Sequence, residues 1–156
     1  MWKSLLDGNF AKFASEIAKG VDICSRKIDF SSTLHYAARG SNIETLKFLT
    51  KLKLIRTEAK DVNGQTALHI AAKFGRDVTV NFLVTEMESA INQVDGAGKT
   101  PLHLASQNGH KKTVETLLSL GAKKTIKDIL GYHPLHYAVM NNDLDLFDIL
   151  LGKEEN

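Results

Sequence analysis

Residues 100–122 read TPLHLASQNGHKKTVETLLSLGA. His103 and His110 lie close to Thr100 here, a grouping that raises the question of a catalytic or metal-binding centre. Recurrence answers it. Ser32-Thr33-Leu34-His35, Thr66-Ala67-Leu68-His69, Thr100-Pro101-Leu102-His103 and His133-Pro134-Leu135-His136 are versions of one tetrapeptide, with histidines 34, 34 and 33 residues apart. A fixed period of this length marks stacked units, each too small to bury its own apolar face. The quoted stretch is read as one rung of a scaffold.

Around the tetrapeptide each unit keeps one order. A polar turn comes first: Asp61-Val62-Asn63-Gly64, Asp95-Gly96-Ala97-Gly98 and Asp128-Ile129-Leu130-Gly131. Asp can bond the local backbone, and Gly accepts positive φ. The Ser/Thr position has N-cap chemistry, and Pro101 or Pro134 suits the first helical position. A short helix ends at a break such as Phe74-Gly75 or Asn108-Gly109. A second helix follows, with apolar residues at helical spacing: Val80, Leu83 and Val84; Val114, Leu117 and Leu118; Phe147, Leu150 and Leu151. Gly121 stands where a helix C-cap belongs.

The Asp-x-x-Gly-x-Thr-Pro-Leu-His-x-Ala run, then Asn-Gly-His, then Leu-Leu-x-x-Gly-Ala, resembles the ankyrin repeat, most closely at residues 95–122. The resemblance implies an all-α solenoid of helix-turn-helix units, with β-turn fingers that can pair as small hairpins beside a concave face. One domain over residues 1–156 is expected: a cap at 1–26 and repeats at 27–60, 61–94, 95–127 and 128–156. Departures are visible. Lys27 and Phe30 stand where the family prefers Asp and Gly, Ser41 replaces a Gly, Lys53 and Met87-Glu88-Ser89-Ala90 replace Gly-Ala endings, and His133 replaces Thr. Leu5, Leu6, Phe10, Phe13, Ile17 and Val21 form the apolar stripe of the N-terminal cap. Asp145, Asp148 and Lys153-Glu154-Glu155-Asn156 suggest a polar C-terminal cap, which fits a complete small protein, with a fragment of a longer array as the alternative.

Composition narrows the function. The chain has 156 residues, 43% of them hydrophobic, and a formal net charge of +2. That charge is too mild to argue for nucleic acid. The single cysteine, Cys24, excludes an internal disulfide and fits a reducing compartment, so a cytoplasmic location is expected, the host cytosol if the chain is a secreted effector. Asp7, Lys12 and Glu16 interrupt any signal-peptide core, and no apolar run is long enough to span a membrane. Cys24 has no nucleophile motif around it, and no paired carboxylates, Gly-x-Ser-x-Gly or phosphate loop appears. Catalysis and cofactors are therefore not expected. Helices of adjacent repeats stack about 8–10 Å apart. The repeated histidines, at that separation, cannot share a metal whose Zn–N bonds are about 2 Å long. In the family these histidines bond to neighbouring turns, and His110 is read as structural in the same way. Lysines cluster at Lys51, Lys53, Arg56 and Lys60 and at Lys111, Lys112, Lys123, Lys124 and Lys127. They are read as a solvated face, with an acidic partner, nucleic acid or an anionic membrane as the alternative.

The family binds proteins with its fingers and the exposed face of the first helix. The carried-over positions are Ile28, Asp29, Ser31, Arg39 and Gly40 in the first repeat, then Val62, Asn63, Gln65, Lys73 and Phe74 in the second. Gly96, Ala97, Lys99, Gln107 and Asn108 follow, and the last repeat gives Ile129, Leu130, Tyr132, Met140 and Asn141. These positions add little to a repeat core, yet Phe74, Ile129, Leu130, Tyr132, Met140 and Val62 are not polar. An exposed apolar strip rimmed by Lys73, Lys99 and Arg39 is a candidate interface. Phe74 and Tyr132 are expected to anchor a protein partner, and Lys73 and Lys99 to orient it; packing of Phe74 on Val62 and of Ile129-Leu130 within their own finger is the alternative. A non-catalytic adaptor, inhibitor or targeting module, monomeric, is the expected function. The recruiting arm of a larger enzyme or membrane-surface assembly is the alternative.

Overall fold

The computed structural model describes residues 2–7, 9–22, 32–51 and 56–152, without the side chains of Trp2 and Leu5. Cys24, Lys27, Ile28, Asp29, Phe30, Ser31, Lys53 and the 153–156 tail lie outside the described residues. Helices occur in pairs: α1 (Trp2–Leu6) with α2 (Phe10–Ala18), α3 (Thr33–Gly40) with α4 (Ile43–Lys51), and α5 (Ala67–Lys73) with α6 (Asp77–Thr85). Then come α7 (Pro101–Gln107) with α8 (Lys111–Ser119), and α9 (Pro134–Met140) with α10 (Leu144–Leu151). The first helices form one layer, α1 on α3, α3 on α5, α5 on α7 and α7 on α9. In the second layer α2 packs on α4, α6 on α8 and α8 on α10. The all-α solenoid expected from the repeats is thus observed. The fingers carry no strand among the described residues, so they are turns and not hairpins.

Local chemistry sets each helix start. Ser32, Thr66, Thr100 and His133 hold extended backbone (ψ 163–172°) immediately before α3, α5, α7 and α9. Pro101 and Pro134 occupy the first turn, where the missing N–H has no intrahelical partner to lose. The first helices end in a left-handed residue, with the next N–H reaching back five residues: Arg76 to the Ala71 carbonyl at 2.9 Å, His110 to Ala105 at 3.0 Å, Asp143 to Ala138 at 3.0 Å. Gly75 and Gly109 supply two of these left-handed residues; Asn142 takes the third at φ 53°. Ser41, at φ 57°, replaces glycine at the end of α3 and bonds Thr79 through its hydroxyl at 3.2 Å. The extra residue after α6 is absorbed by Glu88, which turns left-handed at φ 52° so that the Ser89 N–H meets the Leu83 carbonyl at 2.9 Å. Ala122 makes the equivalent bond to Leu117 after Gly121, also at 2.9 Å.

The core lies between the layers. Ala37, Ala38, Ala71, Ala72, Ala105 and Ala138 are fully buried, and side chains this small let the first helices approach closely. Leu34, Leu68 and Leu102 fill the space toward the second layer, which contributes Leu46, Leu49, Val80, Leu83, Val114, Leu117, Leu146 and Leu150. Each such Leu adds about 1.5–3 kcal/mol on burial. At the N-terminal end Phe13 is fully buried and meets the Phe48 ring edge-on at 6.0 Å. The stripe expected there is only partly inward, because Val21 is exposed.

At the C-terminal end the described residues leave apolar side chains open, and the 153–156 part of the expected polar cap lies outside them. Val139 is 60% exposed, whereas its equivalents Ala72 and Ser106 are 0% exposed beneath the next repeat. Leu144 is also exposed, and Phe147, equivalent to the buried Val114, is half-covered. Asp145 and Asp148 lie elsewhere on α10, and Asp145 takes Lys111 at 2.6 Å.

Candidate functional site: the finger groove

Each finger is organised by one aspartate. Asp61 Oδ1 accepts the N–H groups of Asn63 and Gln65, both at 2.9 Å. Asp95 does the same for Ala97 and Lys99 at 2.9 Å, and Asp128 for Leu130 and Tyr132 at 2.9 and 3.0 Å. Gly64, Gly98 and Gly131 then turn the chain at φ 73°, 72° and 80°. Neighbouring fingers are joined by single backbone bonds, Gly96 N–H to the Asn63 carbonyl at 2.9 Å and Ile129 N–H to the Ala97 carbonyl at 3.1 Å. Sequence reading recognised the turns but not these joints. Asp128 is buried, which works against its charge. Hydrogen bonds from the Tyr137 hydroxyl (2.6 Å) and the Tyr132 and Leu130 N–H groups outweigh that effect and hold its carboxyl below the usual range. Burial and the same carboxylate push the Tyr137 hydroxyl well up.

The repeated histidines fix the fingers to the helices. His35 Nε2 meets the Gln65 carbonyl at 2.8 Å, His69 Nε2 the Lys99 carbonyl at 3.0 Å, and His103 Nε2 the Tyr132 carbonyl at 3.0 Å. A carbonyl only accepts, so Nε2 carries the proton and Nδ1 is an acceptor. Nδ1 accepts from the Ser32, Thr66 and Thr100 N–H groups at 3.2, 3.2 and 3.1 Å, and those residues' hydroxyls stand 2.8 Å away. The ring is therefore held neutral. Burial pushes His69 and His103 below their ordinary 6.5, with the carbonyl bonds and the nearby Asp95 and Asp128 pulling partly back. An unfolded chain takes up these protons near pH 6.5 while the folded one resists, so stability is lost as pH falls below about 6.5. The slope approaches ~1.4 kcal/mol per pH unit for each histidine. Urea midpoints should accordingly fall between pH 7.5 and pH 5.5. An unchanged or higher midpoint at pH 5.5 contradicts the neutral-ring assignment.

A second line of ties runs along the helix ends. Arg76 Nε donates to the Arg39 carbonyl at 3.1 Å, His110 Nε2 to that of Lys73 at 3.0 Å, and Asn141 Nδ2 to that of Gln107 at 2.9 Å. Each caps the first helix of the preceding repeat. His110 is thus structural, as its place in the repeat implies.

The fingers and first helices enclose a groove of about 610 Å3. It gathers Val62, Gln65, Lys73, Lys99, Gln107, Asn108 and Ile129. A smaller recess of about 170 Å3 holds Arg39 and Phe74, sharing Gln65 and Lys73 with the groove. Leu130, Tyr132 and Met140 line neither. Val62 and Ile129 are the exposed apolar walls, at 66% and 73%; Leu130 and Met140 are exposed beyond them. Several site residues differ from expectation. Phe74 is half-buried, with the Arg39 guanidinium 4.6 Å from its ring centre. Tyr132 is half-buried against His136 (5.6 Å) and Tyr137 (6.2 Å). Gln65 is buried and gives its amide to Asp95 Oδ2 at 3.3 Å, so it is part of the repeat joint and not an exposed contact. Lys99 stands half-buried, its ammonium bonded to Gln107 Oε1 at 2.8 Å and 4.7 Å from the centre of the Tyr137 ring.

Part of the second lysine cluster is paired, while Lys51, Arg56, Lys60, Lys123 and Lys127 stand exposed. Lys111 pairs with Asp145 and Asp143, at 2.6 and 3.1 Å, and these carboxylates raise its pKa; Lys112 pairs with Asp77 at 3.0 Å. Lys124 Nζ caps α10 through the Leu150 carbonyl at 3.0 Å.

A helical solenoid with a laterally open groove is the architecture of a binding scaffold. The family model for ankyrin repeats (3 copies) matches residues 4–95, 34–128 and 80–156, and the chain belongs to the ankyrin-repeat family. Such repeats are generally protein–protein interaction modules and typically non-catalytic. No curated protein matches the chain in sequence. Among the described residues, no helix is long and apolar enough to cross a membrane.

Proposed function

We propose that the chain is a non-catalytic adaptor, inhibitor or targeting module that binds a protein partner in the finger groove. Residues 1–26 serve as its cap, and it works as a monomer in the cytoplasm without a cofactor. The observation that carries this reading is the pair Val62 and Ile129, large apolar side chains left exposed along the groove on the fingers that flank the 95–98 finger. Neither position supports the core, so nothing in folding demands an apolar residue there. Lys73, Lys99, Gln107 and Asn108 add polar groups able to fix an orientation, and Phe74 and Arg39 extend the surface into the adjoining recess. Leu130, Tyr132 and Met140 continue it toward the C-terminal repeat.

Affinity capture from the source cell's lysate tests this, with wild type beside a Val62→Ala/Ile129→Ala variant whose helical circular dichroism is unchanged. A partner held by wild type should be weakened at least tenfold by the variant, as for a hot-spot pair. A partner held equally by both moves the site off the groove.

A further inference from the structure

Carboxylates are distributed very unevenly over this molecule. The first helices α3, α5, α7 and α9 contain none, while Arg39 and Lys73 stand exposed on them. The three finger aspartates are consumed by their own turns: Asp95 and Asp128 are buried with both oxygens bonded, and Asp61 Oδ1 holds two N–H groups. Of the exposed acids, Asp22, Glu44, Glu58, Glu86, Glu88, Glu115, Asp145 and Asp148 lie on the second helices and the loops after them, and Asp7 lies at the turn between α1 and α2. Among the described residues the groove therefore presents cations to an occupant, with Asp95 buried and bonded, while the half-buried Asp61, its Oδ1 taken by its own turn, lines only the adjoining recess. Lys99 is pre-oriented by Gln107 and the Tyr137 ring, and one bond to Gln107 leaves two of its three N–H donors for a ligand.

Resting on the groove reading above, we infer that the partner segment is an extended acidic peptide, with one carboxylate side chain over Lys99 and Lys73 and apolar side chains on either side at Val62 and Ile129. Spacing sharpens this. Val62, Lys99 and Ile129 sit on three successive fingers. Stacked helices repeat at about 8–10 Å. An extended chain advances about 3.3 Å per residue. One finger then corresponds to about three partner residues, giving the pattern apolar-x-x-(Asp/Glu)-x-x-apolar. A nucleic acid fits less well, since its backbone binding grows with the number of phosphates that cations neutralise. Arg39, Lys73 and Lys99 are three.

The test is selection of a random twelve-residue phage-displayed peptide library on the full chain, with poly-U RNA as a competitor. Enriched peptides should carry an acidic residue with apolar residues three positions to each side. A selected peptide, made synthetically, should lose at least tenfold in affinity against Lys73→Glu and against Lys99→Glu. Replacing the peptide's acid by Lys should restore binding to Lys73→Glu. Enrichment of neutral or basic peptides that Val62→Ala/Ile129→Ala weakens would overturn the acidic assignment and leave the groove reading intact. Peptides indifferent to both the groove walls and the lysines would overturn both. Displacement by poly-U through the same lysines, or no enrichment at all, would also overturn the inference.

Discussion

His69→Ala is expected to lower the unfolding free energy by about 3–5 kcal/mol. The ring is 0% exposed and joins two repeats. Removing it leaves the Thr66 N–H and the Lys99 carbonyl without their histidine partner, each worth about 1–3 kcal/mol when buried and unsatisfied. The vacated ring volume adds a cavity penalty. His136→Ala is the comparison. His136 is exposed, accepts the His133 N–H at 3.0 Å, and has no following finger to join among the described residues. Its loss should cost under about 1 kcal/mol. Urea unfolding of both variants checks this, and equal losses would contradict the role given to the histidine as a repeat-to-repeat tie.

Gly64→Ala should lower stability by about 2–3 kcal/mol. Its φ of 73° costs an L-residue about 1–2 kcal/mol. A Cβ there would also stand 2.7 Å from the Gly96 nitrogen, whose N–H makes the finger joint to Asn63. Losing that bond adds about 1 kcal/mol. Gly109→Ala isolates the conformational part, since Gly109 has φ 71° and nothing within 4 Å of a built Cβ. It should cost about 1–2 kcal/mol. Thermal or urea unfolding that ranks Gly109→Ala as the more damaging change would contradict the finger joint.

The fold was legible because the signals were redundant. Four Ser/Thr/His-x-Leu-His units, the Asp-x-x-Gly turns and the second-helix apolar spacing all specify the same stack. Even the irregular ends obey backbone rules, as when Ser41 and Glu88 take the left-handed role usually given to glycine. The candidate surface was less legible, because finger positions answer to three-dimensional neighbours that have no period. Nothing near Phe74 in sequence shows that Arg39, in the preceding repeat, covers its ring. Gln65 stands at a finger position, yet Asp95, 30 residues on, draws its amide into the joint. Lys111 and Lys112 read as a basic run until α10 and α6 bring Asp143, Asp145 and Asp77 to them. The exposed apolar pair Val62 and Ile129 was readable from repeat position, because each directly follows its turn's aspartate at a place the core does not use.

The most direct test of recognition through the groove is site-specific photo-crosslinking of the full chain in its source cell. A photoreactive residue at Ile129 reports the groove. One at Val78, 56% exposed on α6, reports the opposite layer. A protein adduct from position 129 and none from position 78 is the predicted result. An adduct from position 78 and none from position 129 would place the interface on the second helices and contradict the account.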